Sequence, residues 1–281
     1  MPPCPTPAYH VKATQPLAFD RFTLKLSVED DFEFPDFLRH IKAKILGHKT
    51  EEKPTVMGYV TAQLVRIAKA QQLREDLWDV MDNHSEALAS VYKGLWDKNG
   101  NETDMLLSLD CSPLNLLFIN SVLLEAPYRG HGIGLLAVHA VIESLASFDA
   151  PQNRKWVVSL PFIKSEVEID TGNDVVLLCP AGMTGVESTG PDLDHAAIER
   201  KLIDYWGNLG FHVLGRNAGI HDVLMSLETI DGQLNIEEVV PHLITKDEKK
   251  RIWDQRQAML DSLSTDEKIG EGEESGDSSS E

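Results

Sequence analysis

The stretch NLLFINSVLLE, residues 115–125, is nearly continuous in apolar residues. It runs straight into APYRGHGIG, where Gly130, Gly132 and Gly134 alternate behind Arg129. An apolar run of this kind suits a central strand covered on both faces. The residues from about Leu135 to Ser147 then have helical character. The order is therefore strand, glycine turn, helix. Glycine loses more conformational freedom on folding than any other residue, so a cluster of three implies a local need for bare backbone. A strand that turns directly into a helix leaves N–H groups free at the helix start, where the helix dipole favours an anion. Arg129 adds a permanent cation whose fork matches phosphate. The expected anion is a phosphate or pyrophosphate. The other reading is a tight turn that needs positive φ angles.

Ahead of this unit the chain is strand-rich. Phe22, Leu24, Leu26 and Val28 alternate with polar residues, the period-two sign of a half-buried strand. FLRHIKAKIL alternates through Phe37, Ile41, Ala43 and Ile45, and MGYVTAQLVRI is a third candidate strand. Residues 73–96 change to helical spacing through Leu77, Met81, Leu88, Val91 and Leu95. A break near NHS would let Ser85 start a second helix, and DKNG at 97–100 ends it as a turn. After the glycine unit, KWVVSL is expected to be another buried strand, and 161–191 a long irregular stretch. DLDHAAIERKLIDYWGNLGF is predicted as a helix capped by Asp192 or Asp194 and stopped at Gly210. FHVLG and VLMSLE look like a closing pair of strands. Thr245 and Glu248 form a capping-box pattern that opens a helix at about 246–263. Residues 1–263 are thus expected to form a single domain, followed by an acidic, disordered tail at 264–281.

The formal net charge is -19, from 45 acids against 26 bases. Nucleic acid is excluded as a partner on this ground, because phosphate binding needs a basic patch. Cationic partners would be attracted instead. Cys4, Cys111 and Cys179 have neither metal spacing nor an even framework, so no metal site and a reducing compartment are expected. No run approaches the roughly 20 apolar residues of a membrane helix, and MPPCPTPAYH lacks the features of a secretion signal. The expectation is a soluble protein of the cytoplasm or nucleus. Nothing in the sequence indicates an oligomeric state.

Phosphate-binding turns differ in spacing. A Walker loop needs a lysine after its last glycine, and none is present. Gly132, Gly134 and Ala137 satisfy G-x-G-x-x-G/A, but the acid that a dinucleotide fold places after the next strand is missing from PFIK. The third spacing, R-x-x-G-x-G, is met by Arg129, Gly132 and Gly134. APYRGHGIGLLAVHAVIE resembles the PEYRGKGIGRKLLEALIE pattern of the GNAT family of N-acetyltransferases, and YWGNLGFHVLG is similar to that family's YEKLGFxxxG. Together with the order of elements, the resemblance covers roughly residues 20–230.

The resemblance implies an α+β fold with a mixed, mostly antiparallel central sheet flanked by helices. Two adjacent parallel strands, the motif strand and KWVVSL, would splay into a V-shaped slot. It implies acetyl-CoA as acyl donor, with the pyrophosphate cradled by Arg129, Gly130, His131, Gly132, Ile133 and Gly134. The backbone of Val122 and Leu124 would pair with the pantetheine arm, and an N–H near Val122 or Leu123 would steady an oxyanion. The implied reaction is direct transfer of an acetyl group to a primary amine, for which the acid-rich surface favours a cationic acceptor. The alternative is a non-catalytic acyl-CoA-binding or interaction module of the same fold. Two departures motivate it. The family tyrosine falls on Trp206, which leaves the neighbouring Tyr205 as the candidate general acid or a core aromatic. A frequent acidic position falls on Asn120, which leaves Glu125 as a candidate base, with Glu166, Glu168 and Asp170 more remote. Ile198 or Glu199 stands where the family often has asparagine. His131 is expected to face solvent, and His139 to be an edge or core histidine.

Overall fold

The computed structural model describes residues 17, 19–109, 113–144, 154–160, 174–180, 195–216, 223–228 and 250. The three alternating segments form β1 (Arg21–Asp30), β2 (Leu38–His48) and β3 (Thr55–Val65), an antiparallel meander. In β1 and β2 the apolar positions alternate onto one face, so Leu24, Leu26, Ile41 and Ile45 are fully enclosed while Lys25 and Lys42 stay exposed. The helical stretch that follows is broken into α1 (Ile67–Leu73), α2 (Leu77–Asp82), α3 (Glu86–Leu95) and α4 (Asp104–Leu107). Two of the breaks carry their own chemical cause. Asp76 accepts from the N–H of Trp78 and starts α2, and Ser85 accepts from the N–H of Leu88 and starts α3, each satisfying a helix-start donor.

The long apolar run is β4 (Asn115–Leu124), and the helix after the glycines is α5 (Ile133–Glu143). Further along come β5 (Arg154–Leu160), β6 (Asp174–Leu178), α6 (His195–Gly207), β7 (His212–Arg216) and β8 (Val223–Glu228). The eight strands form one sheet in the order β5-β1-β2-β3-β4-β6-β8-β7. Neighbours are antiparallel except β4 and β6, which are parallel. One sheet face packs against α5 and α6, and the other against α1–α4, so each face has its own core. This is the mixed, helix-flanked layout expected of a GNAT-like α+β fold.

One strand assignment is overturned. KWVVSL is not the parallel neighbour of β4. It lies in β5 at the sheet edge, antiparallel to β1, with Val158 opposite Leu24. The parallel neighbour of β4 is β6, inside the stretch expected to be irregular. Side-chain pattern explains the exchange. Val158 and Leu160 are buried while Val157 and Ser159 are exposed, the alternation of a strand covered on one face. Val175, Val176, Leu177 and Leu178 are all buried, as a central strand between two helix layers requires. Apart from Lys250, the expected helix at 246–263 lies outside the described residues, as do the tail and the Asp192 or Asp194 cap. No helix among the described residues is long and apolar enough to cross a membrane.

β3 and β4 meet most closely at Gly58, which is paired with Leu124. A methyl group built there would lie 2.1 Å from the Leu123 carbonyl oxygen. Gly58→Ala should therefore push the strands apart and lower stability by about 1–3 kcal/mol, as overpacking does. Denaturant unfolding checks this, and an unchanged midpoint would show that the strands can separate without cost.

Candidate functional site

The site begins with a surplus residue in β4. Ala62 pairs with Ile119 and Thr61 pairs with Ser121, so Asn120 is a β-bulge. Bulges bend a strand and sharpen its twist. At the same point β4 loses its other neighbour, because pairing with β6 ends at Ile119 and Leu178. From Asn120 to Leu124, β4 has β3 on one side and no strand on the other among the described residues. The register says which backbone groups face that open side. The N–H of Glu125 donates to Met57 at 2.9 Å. Antiparallel pairs alternate between bonded and non-bonded, so Leu124 and Val122 turn their N–H and C=O groups away from β3. The two residues singled out from the sequence therefore border the gap. The Leu124 carbonyl is already engaged, since it accepts from Nε of Arg129 at 2.8 Å.

The open strand leads through a single 3-10 turn, Ala126–Tyr128, into the glycines. Gly130 and Gly132 both have φ of 78°, the left-handed region in which a side chain is strained. A Cβ on Gly130 would meet nothing within 4 Å, so the turn opens to free space there. Gly132 is buried and forms the N-cap of α5 without a side-chain cap. The N–H groups of Gly130, Gly132, Ile133 and Gly134 have no backbone acceptor among the described residues, as helix geometry dictates for a first turn. The turn needs positive φ, and it presents N–H groups with no backbone acceptor among the described residues. His131 does not face solvent. Its side chain is buried, between two glycines that both hold left-handed backbone. Arg129 and Glu125 are exposed.

Gly134 has a different task. It is helical, and a Cβ there would come within 2.9 Å of the Tyr205 hydroxyl, 3.5 Å of Val122 Cγ1 and 3.7 Å of Leu124 Cδ1. Its missing side chain lets α6 press the Tyr205 hydroxyl under the first turn of α5. That hydroxyl accepts from the N–H of Leu135, one of the helix-start donors. Burial pushes the Tyr205 pKa up to about 12, with the Leu135 N–H opposing the shift. Trp206 is buried, with its ring centroid 5.0 Å from that of Tyr205. Glu199 is tied to Arg216 at 2.7 Å, which joins α6 to β7. Glu125 stands five residues beyond the bulge, which at 3.2–3.4 Å per strand residue is about 16 Å along β4. It flanks the turn rather than the bulge. Glu166, Glu168 and Asp170 lie outside the described residues. Beside the bulge, the hydroxyls of Thr61 and Ser121 meet at 2.7 Å. Neither was singled out from the sequence, because no local pattern marks a pair formed across two strands.

His139 is a core residue on α5. Nδ1 has no hydrogen-bond partner, and Nε2 is 4.0 Å from Glu143. Burial drives its pKa down to about 4. No protein-family description and no curated protein matches this chain.

Two outcomes follow from this geometry. Gly134→Ala should displace the Tyr205 hydroxyl and destabilise the fold by about 1–3 kcal/mol. In a Tyr205→Phe background the same change should cost less, and a double-mutant cycle by denaturant unfolding measures the difference. Additive costs would show that the two groups do not touch. For His139, the folded chain binds fewer protons than the unfolded chain between about pH 4 and the ordinary value near 6.5. Its contribution is therefore complete above pH 6.5 and is lost as the pH falls through that window, by about 3 kcal/mol at most. Stability measured against pH in His139→Gln should have a visibly shallower acid slope than in the wild type.

Proposed function

We propose that this chain is an acetyl-CoA-dependent N-acetyltransferase that acts on a primary amine. One juxtaposition carries the reading. The bulge at Asn120 opens one side of β4, the backbone of Val122 and Leu124 is turned toward that side, and the same strand leads to N–H groups at the start of α5 that have no backbone acceptor among the described residues. A pyrophosphate fits the turn on three counts. Backbone donors without a backbone acceptor among the described residues are present there, Gly130 leaves open space, and the exposed Arg129 precedes the turn. The Nε contact to Leu124 anchors the guanidinium while its terminal nitrogens remain for an anion.

Acetyl-CoA supplies an activated thioester. The residues of this chain bind and orient it. The turn holds the charged end, and the outward N–H groups of Val122 and Leu124 set the direction of an extended arm toward the bulge. An amine acceptor with a pKa of about 10.4 must lose a proton before attack. The Thr61 and Ser121 hydroxyls lie beside the bulge, where water takes that proton and passes it out to solvent. Tyr205 stays protonated throughout the physiological range, the state a general acid needs. The net charge of -19 draws cationic acceptors toward the molecule.

Two observations favour the second reading, a CoA-binding module without catalysis. The Tyr205 hydroxyl already serves as an acceptor for Leu135 beneath α5, and Asn120 offers an amide where a carboxylate base would be expected.

The test separates the two. Calorimetry with CoA should show saturable binding, weakened in Arg129→Ala by ~1.5–3 kcal/mol, the usual range for a charge-assisted contact. Acetyl transfer over a panel of polyamines, amino sugars and basic peptides should then show turnover. Binding without transfer to any amine supports the module. Failure to bind CoA removes both readings.

A further inference from the structure

On the sheet face covered by the short helices, Asp31, His40 and His84 converge from three separate segments. Asp31 follows the end of β1, His40 lies in β2, and His84 lies in the turn between α2 and α3. Asp31 Oδ2 is 2.9 Å from Nε2 of His40 and 3.2 Å from Nδ1 of His84. One ligand atom from each residue lies within 4.8 Å of the others. The side chains are largely enclosed, with exposures of 9% for Asp31, 26% for His40 and 21% for His84.

We propose that this cluster binds a divalent transition-metal ion of the zinc class through Asp31 Oδ2, His40 Nε2 and His84 Nδ1. Nitrogen and oxygen ligands about 2.0–2.2 Å from one zinc ion lie about 3.3 Å apart at tetrahedral angles. The observed separations of 2.9 and 3.2 Å lie within about 0.4 Å of that spacing, and the two histidine nitrogens lie within 4.8 Å of each other. The donor set of two imidazoles and one carboxylate suits zinc and leaves an open position for water. The carboxylate is also oriented as a ligand would be. Its second oxygen, Oδ1, accepts from the N–H groups of Glu33 and Phe34 at 2.8 Å each, the outer-shell support that fixes a metal-bound carboxylate. Arg39, the nearest cation in sequence, is directed to Asp30 at 2.9 Å rather than to the cluster. The imidazole rings are 4.6 Å apart between centroids. Without metal the same three side chains hydrogen-bond to one another, and binding exchanges those bridging protons for the ion. The ion would pin the turn between α2 and α3 to the β1–β2 hairpin.

Zinc titration of the full-length chain by calorimetry, with cobalt(II) as a spectroscopic substitute, tests the assignment. The expected result is one equivalent bound at low micromolar metal, with a visible cobalt band and a higher thermal midpoint that chelator reverses. Asp31→Asn and His84→Gln should each lose that equivalent, while His212→Gln, on the distant β7 strand, should keep it. On the wild-type chain alone, the imidazole nitrogen resonances of His40 and His84 should shift together on adding zinc, which reads the site even if a variant fails to fold. Absence of stoichiometric uptake, unmoved His40 and His84 resonances, or uptake retained in both folded cluster variants would overturn the proposal.

Discussion

One surplus residue in β4 governs the layout of this molecule. Until Ile119 the strand is an ordinary central member of a sheet, bonded to β3 on one side and β6 on the other. Asn120 has no partner in the register, and beyond it β4 has β3 as its one strand neighbour among the described residues. Backbone groups at the centre of a protein must find partners. A strand that sheds a neighbour in mid-course therefore creates a demand that something else must meet. Part of it is met within the chain, by Arg129 returning to the Leu124 carbonyl. The remaining outward groups give the gap its chemical character: a narrow, amide-lined edge ending in a cluster of helix-start donors.

The glycines divide labour around that edge. Gly130 and Gly132 hold the left-handed backbone that turns the chain from strand to helix, and Gly134 makes room for an aromatic hydroxyl from α6. A single motif thus fixes a turn, exposes donors and sets the distance between two helices. The Leu135 N–H is diverted to Tyr205, while the donors before it remain outside the helix ladder. The hydroxyl that resembles a catalytic group in the sequence is also a structural cap, and its inward placement follows from the absent Cβ two residues into α5.

Much of this was legible in the sequence, for identifiable reasons. Period-two alternation located β1 and β2 because one face of each carries the buried apolar residues, and Ser85 revealed its helix start because a hydroxyl acceptor is needed there. The turn could be read because positive φ leaves a glycine signature. The identity of the strand beside β4 was not legible. KWVVSL and DVVLL are both short and apolar, and only the distinction between alternating and continuous burial separates an edge strand from a central one. The positions of Asp31, His40 and His84 left no local trace either, because β1, β2 and the α2–α3 turn meet only after the chain has folded. His131 misled for a related reason. A polar residue between glycines looks exposed until the curvature of the backbone is known.

The parallel pairing of β4 with β6 has a consequence for assembly in time. β1, β2 and β3 are joined by short reversals and can zip locally. Asn115 and its partner Asp174 are separated by about 60 residues, so their contact must await a large loss of chain entropy. The β4–β6 pairing, whose end marks the start of the open half of β4, is therefore among the late contacts of the sheet. A nascent chain would possess its meander and helical layer before it possessed a cleft.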